Sequence, residues 1–572
     1  MGEPTVVGIA LSNSALDKQL RASRAALYPK EVVGVIAGLI AAVSLFHVLN
    51  LFYIFLTRPA KRGAVSLQRI PLAVADVTRS IGFRWTISFG LSYSLNLVEV
   101  ALTAAYISLL FVFALVNTTS TTGIKFEPHY FGNRAGDIAA SQIPIIVALG
   151  TRNNIISWIT GISYIKLSYL HRMTARVLCV MVWLHALGKM KTGAPATLPL
   201  VRVGLFALSS LALLSIVSIR PVRERAYQFF FVVHCVLVLM FLVATYVHLK
   251  DIHMAYYGIL PAMILWGLDR FMHFARIIIF NFGYFKPTPS TSEDYDASVD
   301  VLSPQFLRIT LRRPSHFRWA AGQCSYLSFP GVSSWPFEAH PFTISTTYGP
   351  DPSPSGNKLI FYARVHDGFT RKLRDRATEG EKFRVFLDGP YDSPPALVGY
   401  STSILIAGGS GIAFILPLLI DLIGQARRGE TTCRRVVFVW SIRESENIHW
   451  IKDSLSQCLH GFVPGLSVDV QIYITGKYAE GLFPVDSIAE KIEFSGSYSY
   501  GFSVPGVSVG IGRPDLQTLL GEEVQEASGP VSVNVCGGRS LAEAVMKAVR
   551  YPRPMDILRG GHTVSLFVDG SF

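Results

Sequence analysis

HRMTARVLCVMVWLH (171–185) and HCVLVLMFLVATYVH (234–248) are two apolar stretches, each opened and closed by a histidine. In both, the histidines are 14 residues apart, which at about 1.5 Å rise and 3.6 residues per turn is roughly four helical turns and ~21 Å. The two members of a pair then face the same way, one near each side of a bilayer. A lone histidine in an apolar helix is commonly a polar group satisfied inside a bundle. Two pairs with one spacing are harder to explain that way, because ionisable residues at membrane depth are rare and usually functional. With the helices side by side, the four imidazoles form two stacked bis-axial ligand sets, His171 opposite His234 and His185 opposite His248, suited to two haem irons.

The rest of the chain sorts into a membrane half and a soluble half. Its 572 residues are more than one core accommodates, and its hydrophobic residues, half of the total, crowd before residue 281. Seven apolar runs at 32–56, 86–116, 138–151, 164–188, 200–219, 226–249 and 256–280 predict a multi-pass α-helical transmembrane domain of about seven spans over 31–280. Residues 1–30 read as an N-terminal non-cytosolic tail without a signal-peptide pattern. Arg58, Lys61, Arg62, Arg69, Arg79 and Arg84 place the first connection in the cytosol. Alternation then puts 117–137 outside, where Asn117-Thr118-Thr119 is a glycosylation sequon, and Arg152, Lys166, Arg220, Arg223 and Arg225 inside. His171 and His234 lie towards the cytosol on this topology, and His185 and His248 towards the opposite face. Arg172 and Arg176 follow the inner histidine and either pair with haem propionates or serve as positive-inside anchors. His253, beyond the outer histidine, either meets a substrate metal or is a solvated loop residue.

The net charge of +13 comes from short loops beside apolar runs and from the phosphate-handling half, so a membrane surface and anionic cofactors explain it without nucleic acid. The six cysteines contain no C-x-x-C pair and no disulfide-like framework.

After a Pro-, Ser- and Asp-rich linker at 281–300, short β-type runs predict a small antiparallel barrel at 301–399. HPFTIS at 340–345 offers His340, Pro341, Phe342, Thr343, Ile344 and Ser345, an apolar surface and hydrogen-bonding edge of the kind a flavin ring needs. GFTRKL at 368–373 adds Gly368 for close backbone approach, with Phe369 and Thr370 opening a helix whose amides face a pyrophosphate. From 400 to 572, strands alternate with helices, the pattern of an α/β doubly wound nucleotide domain. Strand SILIAGG runs into Gly408, Gly409, Ser410, Gly411 and Ile412, a glycine turn and helix start for a dinucleotide phosphate, though not the G-x-G-x-x-G fingerprint. Ser441 and Arg443, after strand VVFVW, are placed to hold an adenosine 2′-phosphate and so favour NADPH. Cys536, Gly537 and Gly538 end another strand where a nicotinamide would lie, and the chain stops at Phe572.

Taken in order, the paired histidines, HPFTIS, GFTRKL, GGSGI and CGG resemble the fungal ferric reductase family, relatives of the NADPH oxidases, over roughly residues 85–572. The resemblance implies a transmembrane domain with two b-type haems fused to a cytosolic ferredoxin-reductase-like flavoprotein, in which NADPH gives hydride to FAD and single electrons cross the membrane. By position, His171, His185, His234 and His248 match the haem ligands, His340 to Thr343 the flavin motif, and Gly408 to Ile412 the nucleotide loop. Cys536 and Phe572 are the candidate catalytic residues. Three positions depart from the family pattern: Ala413 where a hydroxyl residue is usual, Gly538 where proline is usual, and an end, LFVDGSF, that matches the terminal acidic-x-Phe pattern only with a shift. The equal 14-residue spacings and the additional first span look like the metalloreductases, which implies ferric or cupric chelates as acceptors; an oxidase that makes superoxide from dioxygen is the alternative, and the expected location is the plasma membrane.

Overall fold

The computed structural model describes residues 6–56, 69–89, 93–251, 254–285, 296–335, 338–348, 357–377, 381–392, 394–461, 463–476, 506–551 and 553–569. They divide into two compact units: Met1–Phe52 with Glu99–Phe274, and Tyr53–Val98 with Ala275–Phe572.

In chain order the first half folds as α1 (Val6–Leu56), α2 (Ile70–Arg84), β1 (Thr86–Phe89), β2 (Tyr93–Asn96), α3 (Leu97–Leu115), α4 (Pro128–Gly150), α5 (Ile155–Thr160), α6 (Tyr164–Lys191), α7 (Pro199–Val217), α8 (Arg220–Arg225), α9 (Tyr227–Leu249) and α10 (Leu260–Phe280). Helix α1 is continuous from Val6, so most of the stretch read as a tail is helical. The run at 86–116 is not one span. Its first part is an antiparallel hairpin pairing Thr86 with Asn96 and Phe89 with Tyr93, and the helix begins only at Leu97. Helix α4 starts at Pro128, ten residues before the apolar run at 138, with Glu127 accepting from the His129 N–H as its cap. The polar Arg134 hides this extension from a hydropathy reading. In the fold it is buried and donates to the carbonyls of Phe113, Ala114 and Val116. Helices α4 and α6 cross on small residues, and a Cβ on Gly188 would lie 2.8 Å from the Gly132 Cα.

The second half builds β3 (Ala297–Ser303), β4 (Phe306–Arg313), β5 (Cys324–Ser328), β6 (His340–Thr343), β7 (Asn357–Arg364), α11 (Phe369–Arg376), β8 (Lys382–Phe383) and β9 (Phe386–Tyr391). These strands form two antiparallel sheets, β7-β4-β3-β8 and β6-β5-β9, joined by a bridge between Ile344 and Phe361 around a core that includes Phe317, Phe329 and Phe361. Strand β3 takes in Ala297 to Asp300, residues the sequence reading leaves in the linker.

Beyond them come β10 (Thr402–Gly408), α12 (Ile412–Arg427), β11 (Arg435–Ile442), α13 (Lys452–Leu459), β12 (Ser467–Ile474), β13 (Val507–Ile511), α14 (Leu516–Glu526), β14 (Val531–Cys536), α15 (Arg539–Ala548), α16 (Pro554–Leu558) and β15 (Val564–Asp569). The sheet is wholly parallel, in the order β13-β12-β11-β10-β14-β15. Its direction of winding reverses between β10 and β14, the place where doubly wound sheets take ligands at their carboxyl ends. Residues 409–427 are as apolar as a membrane span, but α12 spends that apolarity inside the sheet's core with Phe438, Trp440 and Val470. The membrane-half segment α2 joins this second unit. Arg84 is buried there, donating to Ser80 Oγ at 2.9 Å and to the carbonyls of Val549 and Val564 at 2.5 and 2.6 Å.

Candidate functional site

Four histidines meet in two pairs inside the helical unit. The His171 and His234 ring centroids are 6.4 Å apart, and those of His185 and His248 are 6.3 Å apart. A metal between two imidazole nitrogens at about 2.0–2.1 Å each, with ring centres roughly 1.1 Å behind the nitrogens, separates the centroids by about 6.3 Å. The pairing and the spacing read from sequence are therefore both present in the fold.

Each ring is held by its Nδ1. His171 donates to Ile146 O at 2.8 Å, His185 to Gly132 O at 2.7 Å and His248 to Leu200 O at 2.9 Å. A carbonyl only accepts, so Nδ1 carries the proton and Nε2 keeps its lone pair. His234 reaches Ser218 Oγ at 3.2 Å, and that hydroxyl already donates to Leu214 O at 2.6 Å. It can therefore only accept from His234, and this Nε2 is free as well.

Glycines seat three of the rings. A Cβ at Gly136 would lie 2.5 Å from His185 Nδ1, one at Gly150 2.8 Å from His171 Nδ1, and one at Gly204 2.8 Å from His248 Cε1. On α4 the accepting carbonyls, of Gly132 and Ile146, are 14 residues apart, and so are the seats, Gly136 and Gly150. Helix α4 thus repeats the spacing of the histidines it holds. Sequence reasoning missed this set, although the matching interval was there to be found.

In the barrel, His340 stacks on Phe369 with centroids 4.2 Å apart, which brings HPFTIS and GFTRKL together. His340 Nε2 lies 2.9 Å from Glu338 Oε1. Of the expected flavin residues, Pro341 is exposed and Phe342 and Thr343 are half-buried, open to a ligand. Ile344 and Phe369 instead belong to the barrel core, and Ser345 Oγ is spent on Ala413 O at 3.0 Å. Gly368 has φ of 97°, a conformation that favours glycine, and nothing lies within 4 Å of its Cβ position among the described residues. Thr370 Oγ1 is turned back on His366, accepting from its N–H and donating to its carbonyl.

At the sheet's switch point, Gly408 ends β10 beside Cys536, the end of β14. The glycines divide by role. A Cβ at Gly411 would collide with Cys536 O and one at Gly537 would lie 3.0 Å from the Gly408 Cα, so these residues let two turns of backbone touch. Gly409, with φ of 54°, and Gly538 have open space among the described residues and can admit a ligand. Ser410 is half-buried and Ile412, at the start of α12, is buried. Ser441, paired in register with Gly408, has a buried Oγ with no hydrogen-bond partner among the described residues, a donor waiting for an acceptor. Arg443 is exposed just beyond it. Cys536 is buried, and its thiol donates to Asp569 Oδ2 at 3.3 Å. Burial, reinforced by the Asp569 carboxylate, pushes this thiol well above the ordinary range, so it stands as a neutral group rather than a thiolate nucleophile. Phe572 and His253 lie outside the described residues.

A membrane-embedded helical domain carrying paired histidines, fused to a flavin barrel and a doubly wound nucleotide sheet, defines the class as integral-membrane flavoprotein. Three family descriptions match successive parts of the chain: ferric reductase like transmembrane component at 135–245, FAD-binding domain at 294–395 and ferric reductase NAD binding domain at 400–550. Through these three matches, in this order, the chain is similar to the ferric reductase family. A probable ferric reductase transmembrane component of Candida albicans is 26% identical over 463 residues, 74% of this chain and 62% of that protein. A ferric/cupric reductase transmembrane component of the same organism is 26% identical over 74% of this chain and 55% of its own length. A probable cell surface ferric reductase of Aspergillus oryzae is 29% identical over 61% of this chain and 48% of its own length. The chain thus spans about half to three-fifths of the length of these relatives. Among solved structures, a ferredoxin NADP+ reductase from Neisseria gonorrhoeae is similar at 16% identity, covering 48% of this chain and 96% of that one, with a TM-score of 0.30.

Proposed function

We propose that this chain is a transmembrane metalloreductase: electrons from cytosolic NADPH pass through FAD and two b-type haems to ferric or cupric chelates on the opposite side, most readily at the plasma membrane. The observation that carries the reading is the pair of imidazole separations, 6.4 and 6.3 Å, with every Nε2 left unprotonated by the hydrogen bond at Nδ1. Flavin, when bound, would supply the change from two-electron hydride to single electrons, and haem held by His171 with His234 and by His185 with His248 would supply one-electron chemistry.

The chain's own residues bind and orient. Pro341, Phe342 and Thr343 offer a flat apolar edge with a hydroxyl to the flavin ring, while Gly368 and the start of α11 offer backbone to its phosphates. Gly409, Gly538 and the N-terminal amides of α12 receive the nucleotide pyrophosphate. Ser441 and Arg443 meet the 2′-phosphate, the one group that distinguishes NADPH from NADH. Cys536, held neutral, gives the nicotinamide an uncharged, polarisable wall beside the switch point. The 14-residue intervals correspond to ~21 Å along a helix, which supports one histidine pair towards each membrane face.

The reading is tested by NADPH-driven reduction of a panel of ferric and cupric chelates by the purified protein, with and without oxygen. Reduction that is independent of oxygen is expected. Electron flow only when dioxygen is present, with superoxide as product, would instead make the chain an oxidase.

A further inference from the structure

The four histidine seats are nearly one design repeated. At His171, His185 and His248 the neighbouring helix presents a backbone carbonyl and, four residues later, a glycine: Ile146 with Gly150, Gly132 with Gly136, Leu200 with Gly204. Helix α7 repeats the unit 14 residues on, as Leu214 followed by Ser218. The serine replaces the glycine, and its hydroxyl stands between the ring and the carbonyl, accepting from His234 Nδ1–H at 3.2 Å while donating to Leu214 O at 2.6 Å.

We propose that Ser218 is a positioning residue that makes the His171/His234 site electronically unlike the His185/His248 site. The inference rests on the proposed haem ligation. A ligating imidazole gains basicity from the acceptor of its second N–H. An alcohol oxygen is a weaker acceptor than an amide carbonyl, and this contact, at 3.2 Å, is longer than the 2.7–2.9 Å of the other three. Of the four rings, His234 therefore gains the least basicity from its Nδ1 partner. A less basic ligand stabilises ferric iron less, so the substitution raises the midpoint potential of its site above what a carbonyl-seated histidine would give. The site thereby becomes a better electron acceptor than a carbonyl-seated one, which, with this pair on the cytosolic side as proposed, favours entry of electrons from the flavin.

The test is a spectroscopic redox titration of the purified, haem-loaded full chain, resolving two midpoint components and counting haem per protein. Ser218→Gly restores the seat found three times elsewhere, letting His234 donate straight to Leu214 O; two haems should remain and one midpoint component should move negative while the other stays. Ser218→Ala removes the acceptor and fills the seat with a methyl; the same component should move positive or its haem be lost. A Ser218→Gly protein with both midpoints unmoved, a positive shift, or a missing haem overturns the proposal, as does a Ser218→Ala protein identical to the parent. Were the parent protein to carry no haem at all, the ligation reading would fail, and this proposal with it.

Discussion

Alanine at Gly136 puts one methyl group against His185, a proposed haem ligand. Its Cβ would lie 2.5 Å from His185 Nδ1, 2.8 Å from Cε1 and 3.0 Å from Cγ. Ordinary contact needs about 3.5 Å, so the ring must recede by about 1 Å. Receding stretches the Nδ1–H bond to Gly132 O from 2.7 Å to beyond the usual limit of about 3.2 Å. The lost bond costs about 0.5–1.5 kcal/mol and the overpacking about 1–3 kcal/mol, against a gain of roughly 0.5–1 kcal/mol for alanine over glycine in a helix. The clash wins. Disturbing the partner of a ligating histidine commonly weakens metal binding about 10–100-fold, so haem content should fall from two towards one per chain, with spectral loss confined to one component. Gly267→Ala, where the new methyl meets nothing within 4 Å among the described residues, is the control. A Gly136→Ala protein holding two haems with the parent affinity would refute the seat-and-carbonyl account of His185.

At the nucleotide end, Arg443→Ala should raise KM for NADPH about ten- to a hundredfold and that for NADH little, since a charge-assisted contact to phosphate is worth about 1.5–3 kcal/mol; equal losses for both nucleotides would make Arg443 a mere solvated residue. Arg84→Ala should lower the unfolding temperature of the second unit sharply. It strips the carbonyls of Val549 and Val564 of their donor and leaves buried Asp76 without the cation 3.9 Å away, a loss on the order of 3–5 kcal/mol, measurable by thermal unfolding. Alkali should also weaken this unit. Burial pushes Cys458 up to about 11 and Cys536 higher, from a reference of 9.0. Below pH 9 both thiols are protonated folded or unfolded; above it the unfolded chain ionises first, so stability falls with rising pH by up to about 1.4 kcal/mol per unit per thiol. Denaturant midpoints recorded from pH 7 to 11 check this, and Cys458→Ala should flatten the slope.

What the sequence disclosed was governed by periodicity and local chemistry. The histidine pairing followed from one interval repeated twice, and the barrel and doubly wound sheet from strand patterns ending in glycine turns. Contacts that depend on the neighbouring helix were hidden. Gly136, Gly150 and Gly204 look like ordinary small residues until the rings they seat are beside them. Arg134 is a charge just before the apolar run at 138, and its bonds to the carbonyls at the end of α3 are what allow α4 to bury it. The hairpin at 86–96 abuts the apolar helix after it, and its alternation of polar with apolar residues, as in Thr86-Ile87-Ser88-Phe89 and Tyr93-Ser94-Leu95-Asn96, runs over too short a length to stand out. Ser345 reads as a flavin contact, but burial has given its hydroxyl to the Ala413 carbonyl.

The central claim, a wire of two haem-bearing histidine pairs across a membrane, is tested most directly in sealed vesicles of known orientation. NADPH is supplied on the side of the flavin unit, and a membrane-impermeant ferric chelate on one face at a time. Reduction is expected only when the chelate is on the opposite face, that of His185 and His248. It should disappear in His248→Leu protein, whose remaining haem still becomes reduced. Equal reduction of chelate on the NADPH side, or activity surviving His248→Leu, would contradict the account.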